Sequence, residues 1–209
     1  MAPSRPVIWL FTDAARLADP LPAVRRLPRG LAGVVFRPDG LTPAGRLDLG
    51  RALARLCRAR RLVLVVAGDA RLAAALGTGV HLRNGRWPGL AGRAHEGGRS
   101  RRRMISSSAH GKAALIRARR AGAAIAFLSP LFPTDSHPGA ASLGSARFAA
   151  TARHAGLAVA ALGGLDGGRA AFLASPLGRR IAAIGAIGAL AFIGARDGRL
   201  QPATSEGRA

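Results

Sequence analysis

The sequence predicts a single-domain α/β protein, a (β/α)8 TIM barrel with short or partly irregular helices. Its 209 residues, of which 49% are hydrophobic, suffice for one buried core and are few for two domains. Short apolar runs alternate with helical stretches along the chain, which is the pattern of parallel βαβ units. Most of these runs are continuously apolar, as expected of strands that are covered on both faces. Eight such units in a chain of this length fit a compact barrel.

The apolar runs define the predicted strands. In chain order they comprise residues 7–11, 31–36, 62–66, 79–82, 104–107, 123–128, 157–162 and 181–184. In a barrel of this kind, the loops after the carboxyl ends of the strands converge at one mouth, where the chemistry takes place. Functional residues are therefore expected in the segments that follow these strands.

Helices are predicted between the strands from capping signals and periodicity. Thr42 is the predicted N-cap of one helix, and Pro43 occupies its first position. Three leucines follow on one helical face, namely Leu49, Leu53 and Leu56. Further helices are predicted over Lys112–Arg120 and residues 145–154.

One segment lacks such signals. Residues 83–103 are rich in Gly and Arg and have little apolar periodicity, so their helix is predicted to be short or missing. Residues 1–195 form the predicted barrel, and the polar tail of residues 196–209 is predicted to be frayed. We find no signal of a domain boundary.

The formal charge of +22 raises nucleic acid as a partner. However, Lys112 is the only lysine, and the other cations are arginines in an Ala- and Gly-rich background, as GC-biased codon usage produces. Tyr is absent, and there is no RNP, helix-turn-helix or zinc-finger pattern, so nucleic acid is not the expected partner. RNA association through the arginine-rich residues 99–103 stays open as an alternative.

Cysteine usage and hydropathy indicate the compartment. Cys57 is the sole cysteine, so neither an intramolecular disulfide nor a cysteine-based metal site is expected, and its helical spacing to leucines predicts a core thiol. The apolar run of residues 7–11 is too short for a signal peptide. The run of residues 181–195 falls short of the ~20 residues that span a bilayer. These features predict a cytoplasmic protein with no membrane partner.

One strand and the segments at the ends of two others carry a distinctive order of residues. Strand four reads G-V-H-L over residues 79–82, the sixth strand is followed by S-P-L-F-P-T-D-S-H-P-G over residues 129–139, and residues 161–165 read A-L-G-G-L. In this order they resemble the superfamily of thiamine phosphate synthase and thiazole tautomerase, in which a G-P-x-F-x-T-x-T-K loop precedes an A-I-G-G-I turn and a V-S-A-I strand end. The resemblance covers nearly the whole chain.

The resemblance implies an enzyme of thiamine biosynthesis, a transferase. A synthase of this family joins hydroxymethylpyrimidine diphosphate to thiazole phosphate and releases pyrophosphate, through a dissociative step that leaves a pyrimidine carbocation. The family neutralises the departing diphosphate with Mg2+ held by aspartates, together with Arg and Lys side chains. Phosphorylated pyrimidine and thiazole molecules are therefore the expected partners. A homodimer is compatible with the sequence, which does not determine the oligomeric state.

The diphosphate site is retained in part. By the resemblance, Arg37 occupies the position of the arginine that contacts diphosphate and is expected to act in catalysis. The glutamine two residues before it is Val35 here, and the lysine two residues after it is Asp39.

The metal ligands of the family are replaced. Its Asn-Asp pair after strand three aligns with Ala67 and Gly68, and its second metal aspartate aligns with Arg86, which could instead contact phosphate. Asp69 lies one position further along and is the candidate ligand for Mg2+. This loss of ligands predicts an impaired synthase, in which Mg2+ is a doubtful cofactor.

The phosphate-binding residues match better. Thr134 and Ser136 stand where the hydroxyls of the loop belong, and Gly163 and Gly164 can present backbone N–H groups to a monophosphate. Further expected contacts are Gly185, which replaces the serine of V-S-A-I, and Ser108, which follows strand five in the family order. Tight turns would also explain the glycines, and local capping would also explain the two hydroxyls.

Histidines supply the alternatives. His137 replaces the lysine of the loop, and His110 follows strand five, so both are expected at the mouth as acid–base groups. They would serve a metal-independent thiazole tautomerase, although Pro130 takes the place of the histidine that tautomerases carry in the sixth loop. A non-catalytic protein that binds a phosphorylated ligand is the third reading. His81 lies inside strand four and is expected in the barrel core, whereas His95 and His154 are expected at the surface.

Overall fold

Eight parallel strands close into a barrel in the computed structural model, which describes residues 6–14, 16–88, 103–134, 141–165 and 182–187. In chain order the strands are β1 (Ile8–Phe11), β2 (Ala32–Phe36), β3 (Val63–Ala67), β4 (Gly79–Leu82), β5 (Ile105–Ala109), β6 (Ile125–Leu128), β7 (Ala158–Leu162) and β8 (Ala183–Ile187). Each strand pairs with its neighbour in sequence, and β8 pairs with β1. The predicted (β/α)8 TIM barrel is therefore confirmed.

The described helices flank the barrel between the strands. They are α1 (Leu21–Arg26), α2 (Pro43–Ala59), α3 (Ala70–Leu76), α4 (Lys112–Arg120) and α5 (Gly144–Arg153). In α2, the Oγ1 atom of Thr42 accepts a hydrogen bond from the N–H of Gly45 (3.2 Å), so the predicted cap is present. The buried face of α2 includes Leu53 and Cys57. Burial raises the pKa of the Cys57 thiol to about 12, which confirms a core thiol.

Aromatic side chains fill the inside of the barrel. The rings of Trp9 and Phe127 meet edge to face with centroids 5.4 Å apart, and those of Phe11 and Phe127 do so at 4.9 Å. Gly33 leaves room for this filling, because a Cβ atom there would clash with the Trp9 indole. The interior is thus packed below the mouth, so a ligand has to bind above these rings.

The last strand begins later than the sequence indicates. Residues 181–184 carry the predicted strand, whereas β8 spans Ala183–Ile187. Pairing decides the difference, since β7 meets β8 at Ala160 and Ala183, and β1 meets it at Ile8 and Ile184. The apolar run in the sequence does not by itself indicate which of its residues pair with β1 and β7.

The segment of residues 83–103 is described at both ends. Residues 83–86 form a tight turn with an antiparallel bridge between Arg83 and Arg86, and residues 89–102 lie outside the described residues, as do residues 188–209. The shortened helix and the frayed tail therefore stay predictions. Within the described part of the chain, no helix is long and apolar enough to cross a membrane.

Candidate active site

The first two strands position Arg37 at the mouth of the barrel. Just after β1, the N–H of Thr12 donates to the carbonyl of Val35 (3.0 Å), and its Oγ1 accepts from the N–H of Arg37 (2.9 Å). Thr12 is buried, with 4% of its surface exposed, so this hydrogen bond is shielded from water. The side chain of Arg37 is 36% exposed and reaches the mouth, as the sequence predicts.

An alternating row of charges runs across the ends of three strands, and we call it the mouth ion network. It begins at Asp13, whose Oδ2 lies 3.4 Å from Nη1 of Arg37. Nε of Arg37 lies 3.6 Å from Oδ2 of Asp39, and Oδ1 of Asp39 lies 2.6 Å from Nη2 of Arg83. The carboxylate of Asp39 therefore links one arginine that follows β2 with another that follows β4.

Gly68 gives the Arg83 side chain its room. This residue follows β3 with a φ of +68°, and its N–H donates to the carbonyl of His81 (3.0 Å). A Cβ atom at this position would lie 3.1 Å from Nε of Arg83. The guanidinium thus lies over the end of β3, where the family resemblance implies a metal-binding aspartate.

The described residues do not fit the Mg2+ ion that the resemblance implies. Oδ1 of Asp69 accepts from the N–H of Leu72 (2.8 Å) and caps α3, which is a structural use of the candidate ligand. Asp13 and Asp39 are paired with arginines. Among the described residues there is no group of three or more His, Cys, Asp or Glu that could hold a metal. The role of Asp69 as a ligand is unsupported by this geometry.

His81 lies below the network at the top of the barrel interior. Its Nδ1 shares a hydrogen bond with Oγ of Ser106 (3.0 Å), and its ring meets that of Phe11 edge to face at 5.6 Å. Burial, assisted by the nearby charges of Arg83 and Arg37, lowers the pKa of His81 to about 3. The side chain is 4% exposed, as predicted for a core residue, and it is neutral at neutral pH.

The end of β5 holds the turn that follows β4. Oγ of Ser108 accepts from the N–H of Asn84 (3.1 Å), and Oγ of Ser107 accepts from the N–H of Gly85 (2.9 Å). Asn84 has a φ of 53°, so these bonds fix an uncommon backbone conformation. The hydroxyl hydrogen of Ser108 has no acceptor among the described residues, which leaves it available to the predicted substrate.

His110 is oriented by the backbone at the rim. Its Nδ1 lies 3.0 Å from the carbonyl oxygen of Ser129. Nδ1 also lies 3.3 Å from Oγ of Ser129. Because a carbonyl oxygen only accepts, the tautomer with the proton on Nδ1 satisfies the closer contact and leaves Nε2 as the basic nitrogen. His110 is exposed after β5, and its role as a proton carrier stays a prediction.

The loop after β6 packs along the glycine turn after β7. The N–H of Leu131 donates to the carbonyl of Leu162 (3.0 Å), and that of Phe132 donates to the carbonyl of Gly163 (3.2 Å). Gly163 and Gly164 have φ values of +90° and +67°. A Cβ atom on Gly164 would lie 2.6 Å from the Phe132 carbonyl oxygen, so the close approach requires glycine.

The turn after β7 has one backbone donor without a partner in the described part of the chain, the N–H of Gly163. Its contact with phosphate stays a prediction. Thr134 ends the described part of the neighbouring loop and is half-buried there. Ser136 and His137 lie outside the described residues, so their predicted roles stay predictions.

Gly185 has a packing role that the sequence did not reveal. It lies in the middle of β8, where a Cβ atom would be 2.9 Å from the Phe11 ring and 3.1 Å from Leu162. The glycine thus makes space for the aromatic filling of the barrel, and its contact with phosphate stays a prediction. Sequence reasoning also missed Arg83, although an arginine directly after the G-V-H-L strand was a visible signal.

Comparisons with known proteins match most of the chain. The profile of the family described as "Thiamine monophosphate synthase" matches residues 10–187. The thiamine-phosphate synthase of Methylobacillus flagellatus is 33% identical over 187 residues, which are 88% of this chain and 87% of that protein.

Solved structures share the fold. Thiamine phosphate pyrophosphorylase from Pyrococcus furiosus superposes with a TM-score of 0.72 at 21% identity, over 91% of this chain and 89% of that one. The YdjI aldolase from Escherichia coli K12 superposes with a TM-score of 0.57 at 13% identity, over 87% of this chain and 75% of that one. At these identities the superpositions establish a barrel and nothing further.

Proposed function

The chain belongs to the thiamine monophosphate synthase family, and from that membership we propose that it joins hydroxymethylpyrimidine diphosphate to thiazole phosphate with release of pyrophosphate. The family match carries this proposal, because it runs from β1 to β8 and so includes every strand end that builds the mouth. The protein is accordingly placed in thiamine biosynthesis as a transferase.

Arg37 is the residue on which the departing diphosphate would depend most. As the C–O bond between the methylene carbon of the pyrimidine substrate and its diphosphate breaks, the electron pair leaves with the diphosphate, and negative charge grows on its oxygens. Thr12 holds the backbone N–H of Arg37, and Asp13 and Asp39 hold its guanidinium at the mouth, so the group is oriented before the substrate arrives. Such preorganised donors stabilise developing charge without reorganising during the reaction.

The glycine turn is the proposed site of the thiazole phosphate. The N–H of Gly163 has no acceptor among the described residues, and Gly164 lets the backbone bend sharply beside the loop after β6. Ser108 offers a hydroxyl hydrogen at the end of β5, two strands along the barrel from β7. These groups bind and orient the phosphate, while the thiazole nitrogen attacks the methylene carbon that the diphosphate leaves.

A coupled assay tests the proposal. The purified protein receives both substrates with and without Mg2+, and thiamine phosphate and pyrophosphate are measured. We expect both products in equal amounts, at a rate lowered by the missing metal carboxylates. Arg37→Gln should reduce kcat at least tenfold, whereas Arg153→Gln, at the opposite end of the barrel, should not. Absence of thiamine phosphate under all conditions contradicts synthase activity.

His110 supports a second candidate, a thiazole tautomerase. In the tautomer whose Nδ1 donates to the Ser129 carbonyl, Nε2 is the nitrogen that would take a proton from a thiazole carboxylate phosphate. His110→Gln should abolish tautomerisation and leave binding of thiazole phosphate nearly intact, whereas the exposed His154 replaced by Gln should leave both intact. Ligand binding without turnover in either assay would instead indicate a non-catalytic binding protein.

A further inference from the structure

We propose that Arg37 and Arg83 together form a metal-independent site for the diphosphate group, with Arg83 in the place where the family resemblance implies an Mg2+ ligand. The diphosphate as the ligand rests on the proposed function, whereas the anion site itself rests on the geometry of the mouth ion network. Mg2+ does not fit the described residues, and this disagreement is the starting point.

Asp39 brings the two guanidiniums together. Its two oxygens face different arginines, with Oδ1 against Nη2 of Arg83 (2.6 Å) and Oδ2 against Nε of Arg37 (3.6 Å). The arginines follow β2 and β4, which lie on either side of β3 in the barrel. A single carboxylate therefore fixes two cations from separate strands over the end of the strand between them.

Gly68 makes the arrangement possible. Its missing side chain leaves the space that Arg83 occupies, since a Cβ atom would lie 3.1 Å from Nε and 3.5 Å from Cζ of that residue. By the resemblance, this is the position of the aspartate that would hold a metal. Where the resemblance implies a carboxylate that holds a dication, this chain has a glycine and the guanidinium of Arg83. Positive charge is therefore present at the same strand end.

Donors remain for an incoming ligand. Among the described residues, Nη2 of Arg37 and both Nε and Nη1 of Arg83 have no hydrogen-bond or ion-pair partner. A guanidinium presents its N–H groups in a planar fork that matches phosphate oxygens, often two at a time. Two such forks suit the two linked phosphates of a diphosphate better than a single monophosphate.

The position of the pair relative to the barrel is also suitable. The charges of Arg83 and Arg37 both act on His81 inside the barrel and contribute to its lowered pKa. Arg37 directly follows β2 and Arg83 directly follows β4, so both guanidiniums belong to the end of the barrel where the carboxyl ends of the strands converge. Since His81 is neutral and Phe11 and Phe127 pack around it, the floor beneath the ligand is apolar and strengthens charge interactions above it.

Direct binding of inorganic pyrophosphate tests this site without requiring turnover. Isothermal titration at about 0.15 M salt, where long-range surface attraction is screened, compares EDTA with Mg2+. We expect the wild-type protein to bind pyrophosphate in EDTA, with an affinity within about threefold of that in Mg2+. Arg83→Gln should weaken binding by about tenfold or more, because it removes a charged hydrogen-bonding group.

Arg153→Gln is the matched control. It removes the same charge from the exposed last residue of α5, far from the mouth, so nonspecific attraction by the basic surface would fall equally in both variants. Thermal melting confirms that the variants are folded. Binding that requires Mg2+, an Arg83→Gln variant that binds like the wild type, or no binding in either buffer would each overturn the proposal.

The outcome is separable from that of the synthase assay. Metal-free pyrophosphate binding by a protein that forms no thiamine phosphate would contradict the proposed reaction and leave the anion site standing. Mg2+-dependent product formation with unaltered Arg83→Gln binding would do the reverse.

Discussion

At the scale of single residues, the burial of His81 makes the stability of the protein depend on pH. Burial, assisted by the charges of Arg83 and Arg37, lowers its pKa from 6.5 to about 3 in the folded protein. The unfolded chain therefore binds the proton first as the pH falls. The contribution of neutral His81 to stability is fully present above pH ~6.5 and is lost progressively as the pH falls towards 3.

We accordingly predict that acid lowers the free energy of unfolding of the wild-type protein more steeply than that of a His81→Gln variant. Between pH 6.5 and about 3 the free energy of unfolding should fall by up to ~1.4 kcal/mol per pH unit more in the wild type. Urea unfolding at several pH values measures this difference. His154→Gln, which alters an exposed histidine, should keep the wild-type slope. Equal slopes for the wild type and His81→Gln would show that this histidine is not buried in its neutral form.

Among the elements, the glycine turn after β7 constrains the loop after β6. Gly164 and Gly40 both have positive φ values, +67° and +78°, but only Gly164 is closely packed, while a Cβ atom on Gly40 would meet nothing within 4 Å. Gly40→Ala should cost about 1 kcal/mol of unfolding free energy through backbone strain alone. Gly164→Ala should cost a further ~1–3 kcal/mol, because the loop carbonyls must move. Urea denaturation of the two variants measures these losses of unfolding free energy. Similar losses for Gly40→Ala and Gly164→Ala would refute the close approach at Gly164.

Elements with local signals could be predicted from the sequence. The bounds of α4, Lys112–Arg120, agree with the prediction, and Thr42 caps α2 because the hydroxyl and Pro43 act on adjacent backbone. The start of β8 could not be predicted, because it depends on pairing with β1 and β7.

Some features of the candidate site could likewise be predicted from the sequence, and others could not. The positions of Arg37 and His110 follow from the rule that strands of a barrel present their carboxyl ends at one mouth. The pairing of Asp39 with Arg83 joins residues 44 positions apart, and no local pattern indicates such a contact. Nor could the sequence show that Asp69 uses an oxygen to cap α3.

At the scale of the whole molecule, the barrel interior couples distant strands. Phe11 of β1, Phe127 of β6 and Gly185 of β8 meet at one level, with a Cβ atom on Gly185 only 2.9 Å from the Phe11 ring. Gly185→Ser, which introduces the serine of the resembling family, should therefore cost ~1–3 kcal/mol of unfolding free energy through overpacking.

A second substitution tests the cause. Phe11→Leu removes the ring, so the double variant should be less destabilised than the sum of the two single variants, by at least ~0.5 kcal/mol. Gly111→Ser adds the same side chain at an open position and should cost little. Additive free energies of unfolding in the cycle would show that Phe11 does not restrict residue 185.

The buried thiol of α2 can report local opening of the native protein. Cys57 is the sole cysteine of the chain, and with a pKa of about 12 it is almost entirely in the unreactive thiol form while α2 is packed on the barrel. An alkylating reagent can modify it only in molecules where the helix has separated from the strands. The labelling rate in the native protein therefore measures how often α2 separates from the strands, without any engineered probe.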